Sequence, residues 1–225
     1  MNLQIIATAA SLMLSAPAHA APFESLFQVD LALGGAYTRD MGDGVWKQEG
    51  APDNKEQVKS PAVYVGVSVP VYARGNWDWR ANLGYTYIGE FSASVNGVPD
   101  EDYNPYTHKV SPAYTGPLSP FNGHGHVQGV SLTLETGYTF SGWRFDVEAG
   151  PWVYWQTWHE SLYGDYQTWY NLSHKTVPQV GWVAGLGVSK GNFGVVARYY
   201  NVNQKWNSYP GLSRGEIAVM ARYRF

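Results

Sequence analysis

The sequence predicts an all-β chain, an eight-stranded antiparallel up-and-down transmembrane β-barrel with long extracellular loops and short periplasmic turns. Three observations predict it. Apolar and polar residues alternate with a period of two over eight separate runs, which is a strand period and not a helical one. The connections between those runs alternate strictly between long and short, an asymmetry that a transmembrane barrel requires and a soluble sandwich or ligand-carrying barrel does not. Glycine (25), tryptophan (10) and tyrosine (17) are abundant while charged residues make up only 15%, which suits pleated aromatic surfaces joined by tight turns.

The start of the chain supplies an address. Residues 3–14 are apolar but only about half as long as a membrane-spanning helix. Ala18-His19-Ala20 follows with small residues where a signal peptidase reads. Residues 1–20 are therefore expected to be a cleaved signal peptide and residues 21–225 the outer-membrane barrel domain. Nothing downstream is apolar for long enough to span a bilayer as a helix. A net charge of -3 gives no sign of nucleic-acid binding, and the absence of cysteine removes disulfides, thiol nucleophiles and thiolate metal sites.

The first strand is expected over residues 26–37, with Val29, Leu31, Leu33, Gly35 and Tyr37 on one face. A polar loop, 39–60, leads to a second strand at 62–74, where Val63, Val65, Val67, Val69 and Val71 oppose Tyr64, Gly66, Ser68 and Tyr72. Gly75-Asn76 makes a hairpin turn into residues 77–91, with Trp77, Trp79, Ala81, Leu83, Tyr85 and Tyr87 on one face and Asp78, Arg80, Asn82, Gly84, Thr86 and Glu90 on the other. Residues 92–126 contain five prolines and are read as irregular. Alternation returns at 127–140, turns at Ser141-Gly142, and continues at 143–156, where Pro151 predicts a bulge or a shifted register. Residues 158–176 read as a third loop. Two further strands, 180–189 and 193–200, flank Gly191-Asn192, and a last loop at 201–213 leads to the terminal strand. There Ile217, Val219, Ala221, Tyr223 and Phe225 oppose Glu216, Ala218, Met220, Arg222 and Arg224.

Trp77 and Tyr87 lie ten residues apart. That is roughly 33 Å of strand, projecting to roughly 25 Å at a tilt of about 40°, the height of the apolar band between two aromatic girdles. The expected girdle residues are Trp77, Trp79, Tyr85, Tyr87, Tyr138, Phe140, Trp143, Trp155, Phe193 and Tyr199. The opposite face then points inward. Asp30, Asp78, Arg80, Glu90, Glu135, Arg144, Asp146, Glu148, Arg198, Glu216, Arg222 and Arg224 all fall on it. An eight-stranded barrel has room only for side chains, so these acids and bases are expected to pair across a plugged lumen. A small charged channel is the alternative.

Taken together, the signal peptide, strand count, loop asymmetry and terminal Ala221-Arg222-Tyr223-Arg224-Phe225 resemble the small outer-membrane barrels of the OmpA transmembrane domain and the OmpX, Ail and Lom group. The resemblance implies adhesion, serum resistance or envelope stabilisation through the loops. It also implies that Val219, Ala221, Tyr223 and Phe225 form a signal read by the outer-membrane assembly machinery. No further domain follows the barrel in this sequence, so peptidoglycan binding is not implied. The expected partners are outer-membrane lipid and lipopolysaccharide, the assembly machinery, and an extracellular ligand met through residues 38–61, 92–126, 158–176 and 201–213.

Chemistry has few candidates. No cofactor is expected. His124-Gly125-His126 puts two imidazoles on one face, but no third ligand is evident and no metal site is expected. His159 and Ser161 also share a face, at the level where a lipid A ester would lie, and a histidine beside a serine is the minimum for acyl transfer. This pair is similar to the His-x-Ser pair of the lipid A deacylase barrels of the PagL family, although Leu162-Tyr163-Gly164 replaces that family's Asn-containing continuation. The reading carried forward is a non-enzymatic barrel, with a lipid A acyl hydrolase using His159 and Ser161 as the alternative.

Overall fold

The computed structural model describes residues 27–39, 55–97, 103–104, 109–110, 119–163, 169–202 and 215–225. The expected signal peptide and most of the expected loop residues, including His108, lie outside the described residues. Eight long strands form the wall: β1 (Gln28–Arg39), β2 (Lys59–Arg74), β3 (Trp77–Gly97), β4 (Ser119–Phe140), β5 (Trp143–Tyr163), β6 (Gln179–Lys190), β7 (Phe193–Asn201) and β8 (Gly215–Arg224). Each pairs antiparallel with its neighbours in sequence, and β8 pairs with β1 from Asp30↔Arg224 to Arg39↔Gly215, which closes the ring. Within the ring of described strands, closure gives each of the eight a partner on both sides. The short turns sit where expected. Gly75, Ser141, Gly142 and Gly191 all take positive φ, a conformation that two-residue hairpins require and glycine adopts without strain.

Both faces follow the alternation. Leu33, Leu83, Leu186 and Val219 point outward and stay more than half exposed, while Ala32, Tyr64, Val196 and Met220 point inward and are buried. Every expected girdle residue lies on the outward face. At the end of the barrel carrying the short turns, Trp77 packs on Tyr138 and Phe193 on Tyr223, with ring centroids 4.9 and 4.6 Å apart. At the other end Trp182 meets Tyr199 at 5.2 Å.

Five expectations are corrected. Residues 92–126 are not wholly irregular: β3 runs on to Gly97 and β4 begins at Ser119, with Asn96 opposite Pro120. Residues 158–176 are likewise not a loop throughout, because β5 continues to Tyr163 and Trp169–Lys175 pairs back onto it. The alternation in these stretches pairs polar with small or aromatic side chains, so the apolar contrast that marks a lipid-facing strand is missing.

Pro151 causes no register shift. It sits opposite Trp182 in an unbroken ladder with β6, while on its other side the ladder with β4 lapses opposite Leu132 and Thr133 and resumes in the same register. The missing amide donor is absorbed on one side of the strand only. Irregularities fall instead between Pro70 and Tyr72 and between Gly89 and Phe91. The first turns Tyr72 outward. The second carries Glu90 to the exposed outer wall, so Glu90 is not a lumen residue.

The interior divides into two storeys. Below, toward the short turns, it is ionic. Above, it is aromatic: Trp152 lies against Tyr154 and Tyr200 at 4.9 and 4.8 Å, and Tyr64 lies over Gly66 of its own strand and Gly84 of β3. A Cβ at Gly66 or Gly84 would meet the Tyr64 side chain at 2.3 or 2.2 Å, so glycine there makes room for it. Aromatic rings thus fill the upper half of the lumen.

Candidate functional site

Two regions concentrate the polar side chains. In the lower lumen Glu135, fully buried, stands among three arginines: Arg144 at 2.7 Å, Arg224 at 3.1 Å and Arg222 at 3.4 Å. Arg144 also holds Asp78 at 2.8 Å and Asp146 at 2.9 Å, Arg222 holds Asp146 at 2.7 Å, and Arg224 holds Asp30 at 2.6 Å. Arg80 pairs with Asp78 at 2.9 Å. One level up, Arg198 pairs with Glu148 and lies over the Tyr64 ring at 3.8 Å from its centre. Thr38 donates to Glu216 at 2.8 Å. Arg80 meets an acid of its own strand, whereas the forks of Arg144, Arg198, Arg222 and Arg224 reach acids on other strands, so these pairs tie the wall together across the barrel. Apart from Glu90, every lumen residue expected from the sequence points into this interior. The individual partners were not legible, because alternation fixes a face and not the distance across a ring.

The second region is on the outer wall, beyond the level of Tyr87 and Trp155, where β4, β5 and the segment Trp169–Lys175 run side by side. A cleft of about 470 Å³ is lined there by Asn122, His124, His159, Glu160, Ser161, Asn171 and Ser173. His159 and Ser161 point outward on the same face, as expected, but among the described residues no hydrogen bond joins them. The Ser161 hydroxyl instead donates to the Asn122 carbonyl at 3.5 Å. Glu160, between them, turns to the inner face and accepts from Trp158 Nε1 at 2.9 Å. The closer neighbour of His159 is His124. The two are direct partners across the β4–β5 ladder, with ring centroids 5.5 Å apart.

His126, two residues from His124 on the same face, turns aside. Its ring lies 5.0 Å from Tyr87 and its Nε2 is 3.2 Å from Gln128 Nε2. Burial holds its pKa below the ordinary histidine value, opposed by the nearby Glu90 carboxylate and aided by His159, His124 and Lys175. The sequence showed the His124-Gly125-His126 and His159-Glu160-Ser161 stretches separately. Their meeting depends on a register that neither stretch encodes alone.

No protein-family model matches the chain, and no curated protein matches it. Solved structures do. OmpT, an outer-membrane protease from Escherichia coli, aligns over 92% of this chain and 99% of its own at 9% identity, with a TM-score of 0.56. Ail, the attachment invasion locus protein of Yersinia pestis, aligns over 89% of this chain and 99% of its own at 12% identity, with a TM-score of 0.38. Neisserial surface protein A aligns over 88% and 97% at 12% identity, also with a TM-score of 0.38. The chain therefore has the fold of the small outer-membrane β-barrels. OmpT carries that conclusion, the other two likenesses are too loose to add to it, and identity this low speaks to fold and not to activity.

Proposed function

We propose that this chain is an integral outer-membrane β-barrel with a plugged, salt-bridged lumen, acting in adhesion, envelope stabilisation or another surface interaction through the rim it presents outside the cell. The observation that carries the reading is the division of the barrel. Its interior is taken up by ion pairs and stacked rings, whereas β3, β4 and β5 run on beyond the girdle as a wall that no lipid-spanning role requires. The outward belt of leucine, valine and phenylalanine suits a bilayer, since a soluble monomer rarely exposes so continuous an apolar surface. The aromatic sequence of the loops suits contact with protein, glycan or lipopolysaccharide.

Planar-bilayer recordings of the purified chain are expected to show no defined channel openings. Reproducible ion-selective openings would replace this reading with the small-channel one.

One observation favours a second reading, a lipid A acyl hydrolase: His159 and Ser161 line the same outward cleft. Mass spectrometry of lipid A from cells expressing the chain or its His159→Ala variant decides it. Loss of an acyl chain with the native protein alone makes it a hydrolase, and identical lipid A in both removes that reading.

A further inference from the structure

We infer that His124 and His159 form a two-imidazole site for a transition-metal ion of the zinc, copper or nickel class on the outer wall. The two side chains stand opposite each other on paired strands and point out of the barrel into an open cleft. Their ring centroids are 5.5 Å apart. With metal–nitrogen bonds of about 2.1 Å, two imidazoles on one tetrahedral ion have centroids roughly 5 Å apart, so little movement separates the observed pair from a chelating one.

The backbone under the pair is held from inside. Trp158 is fully buried, and its ring occupies the space that a Cβ on Gly123 or Gly125 would need, at 2.1 and 2.7 Å. These two glycines flank His124, and Trp158 precedes His159. The same lock that draws β4 onto β5 inside the wall thus sets the two imidazoles face to face outside it. β5 is paired on its other side as well, with His159 opposite Ser173. The site is pre-organised, and metal binding would order little further backbone.

Among the described residues no group of three or more histidine, aspartate or glutamate side chains is placed to hold a metal. Two protein nitrogens with open positions is therefore the set. Asn122, Ser161, Asn171 and Ser173 supply oxygens around the cleft, and water fills what they do not. Imidazole selects zinc, copper and nickel over calcium and magnesium, which want oxygen cages. His124 and His159 each lie four residues past the Gln128–Trp155 pair, about 10 Å above the girdle at roughly 3.3 Å per residue and a tilt of about 40°. The open positions thus face outward above the apolar band.

The test uses the full chain folded in detergent micelles, titrated with Cu²⁺ or Zn²⁺ and followed by calorimetry and by electron paramagnetic resonance of the copper form. One ion per chain is expected, with a copper spectrum showing two nitrogen ligands. His124→Ala and His159→Ala should each weaken binding by at least about 10–100-fold, the loss that even outer-shell substitutions cause at metal sites. His126→Ala should leave it unchanged, and circular dichroism confirms that each variant keeps its β-signal. Absence of stoichiometric binding overturns the inference. So does binding that survives the His124→Ala, His159→Ala double variant, or that is lost instead with His126→Ala, His108→Ala or His174→Ala. None of these outcomes depends on whether the barrel is an adhesin, a hydrolase or a channel.

Discussion

Replacing Glu135 with alanine will lower the unfolding free energy of the barrel by about 3–5 kcal/mol, the cost of breaking a buried ion pair by removing one partner. Glu135 is the acid that Arg144, Arg222 and Arg224 share, and Asn82 donates to it as well at 3.3 Å. Without it three guanidinium groups on β5 and β8 face one another with, among the described residues, Asp30, Asp78 and Asp146 paired to them. Glu135→Gln keeps the shape and an acceptor and will cost less. Adding Arg222→Met to Glu135→Ala should recover part of the loss, since the two residues touch and their effects do not add. Denaturant titration in lipid vesicles measures all three variants. The size of the loss also tests the lumen. In a water-filled pore the same ion pairs would be screened and worth about 0–1 kcal/mol, so a Glu135→Ala effect that small would favour an open channel.

The sequence made the wall legible because a lipid-facing strand cannot hide its pattern. Each outward position must be apolar and each turn at the short-loop end must be tight, so Val63 to Val69, Trp77 to Tyr87 and Ile217 to Phe225 announce both the strand and its face. Past the girdle that constraint lifts. Phe121, Gly123, Gly125 and Val127 still point inward and Asn122, His124 and His126 outward, but both sides are free to be polar and the prolines looked like punctuation. A single irregularity at Gly89 was enough to send Glu90 to the wrong face, since one extra residue inverts every side chain beyond it. The ion pairs and the His124–His159 pair were hidden for a different reason. They join strands through the barrel or across a ladder, and which residues meet depends on register and closure together. Ring closure sets that register, through pairings such as Leu33↔Ala221, and no local pattern reports it.

Leu83→Arg will cost about 2–4 kcal/mol in a bilayer, the penalty for a charged side chain on the lipid face at mid-membrane. Leu83 lies on the outward face of β3 between the two aromatic levels, opposite Val67 on one side and Leu132 on the other. It is 54% exposed in the isolated chain. That exposure is what makes the substitution decisive. On the surface of a soluble barrel an exposed leucine can become arginine with a change usually within about 0.5 kcal/mol, because water solvates the new charge. In hydrocarbon the guanidinium must snorkel or drag water with it, and the wall beside it offers no acid: Val65, Val67 and Leu132 are its outward neighbours. The matched control is Asn122→Arg, also outward and exposed but six residues beyond the Gln128 level, where the cost should fall to about 0–1 kcal/mol. Unfolding from vesicles gives both values on one scale. A large penalty at Leu83 with almost none at Asn122 locates the bilayer against the girdle and leaves the His124–His159 wall outside it. Equal small effects at both positions would mean that the apolar belt faces something other than lipid, and the membrane reading would fall.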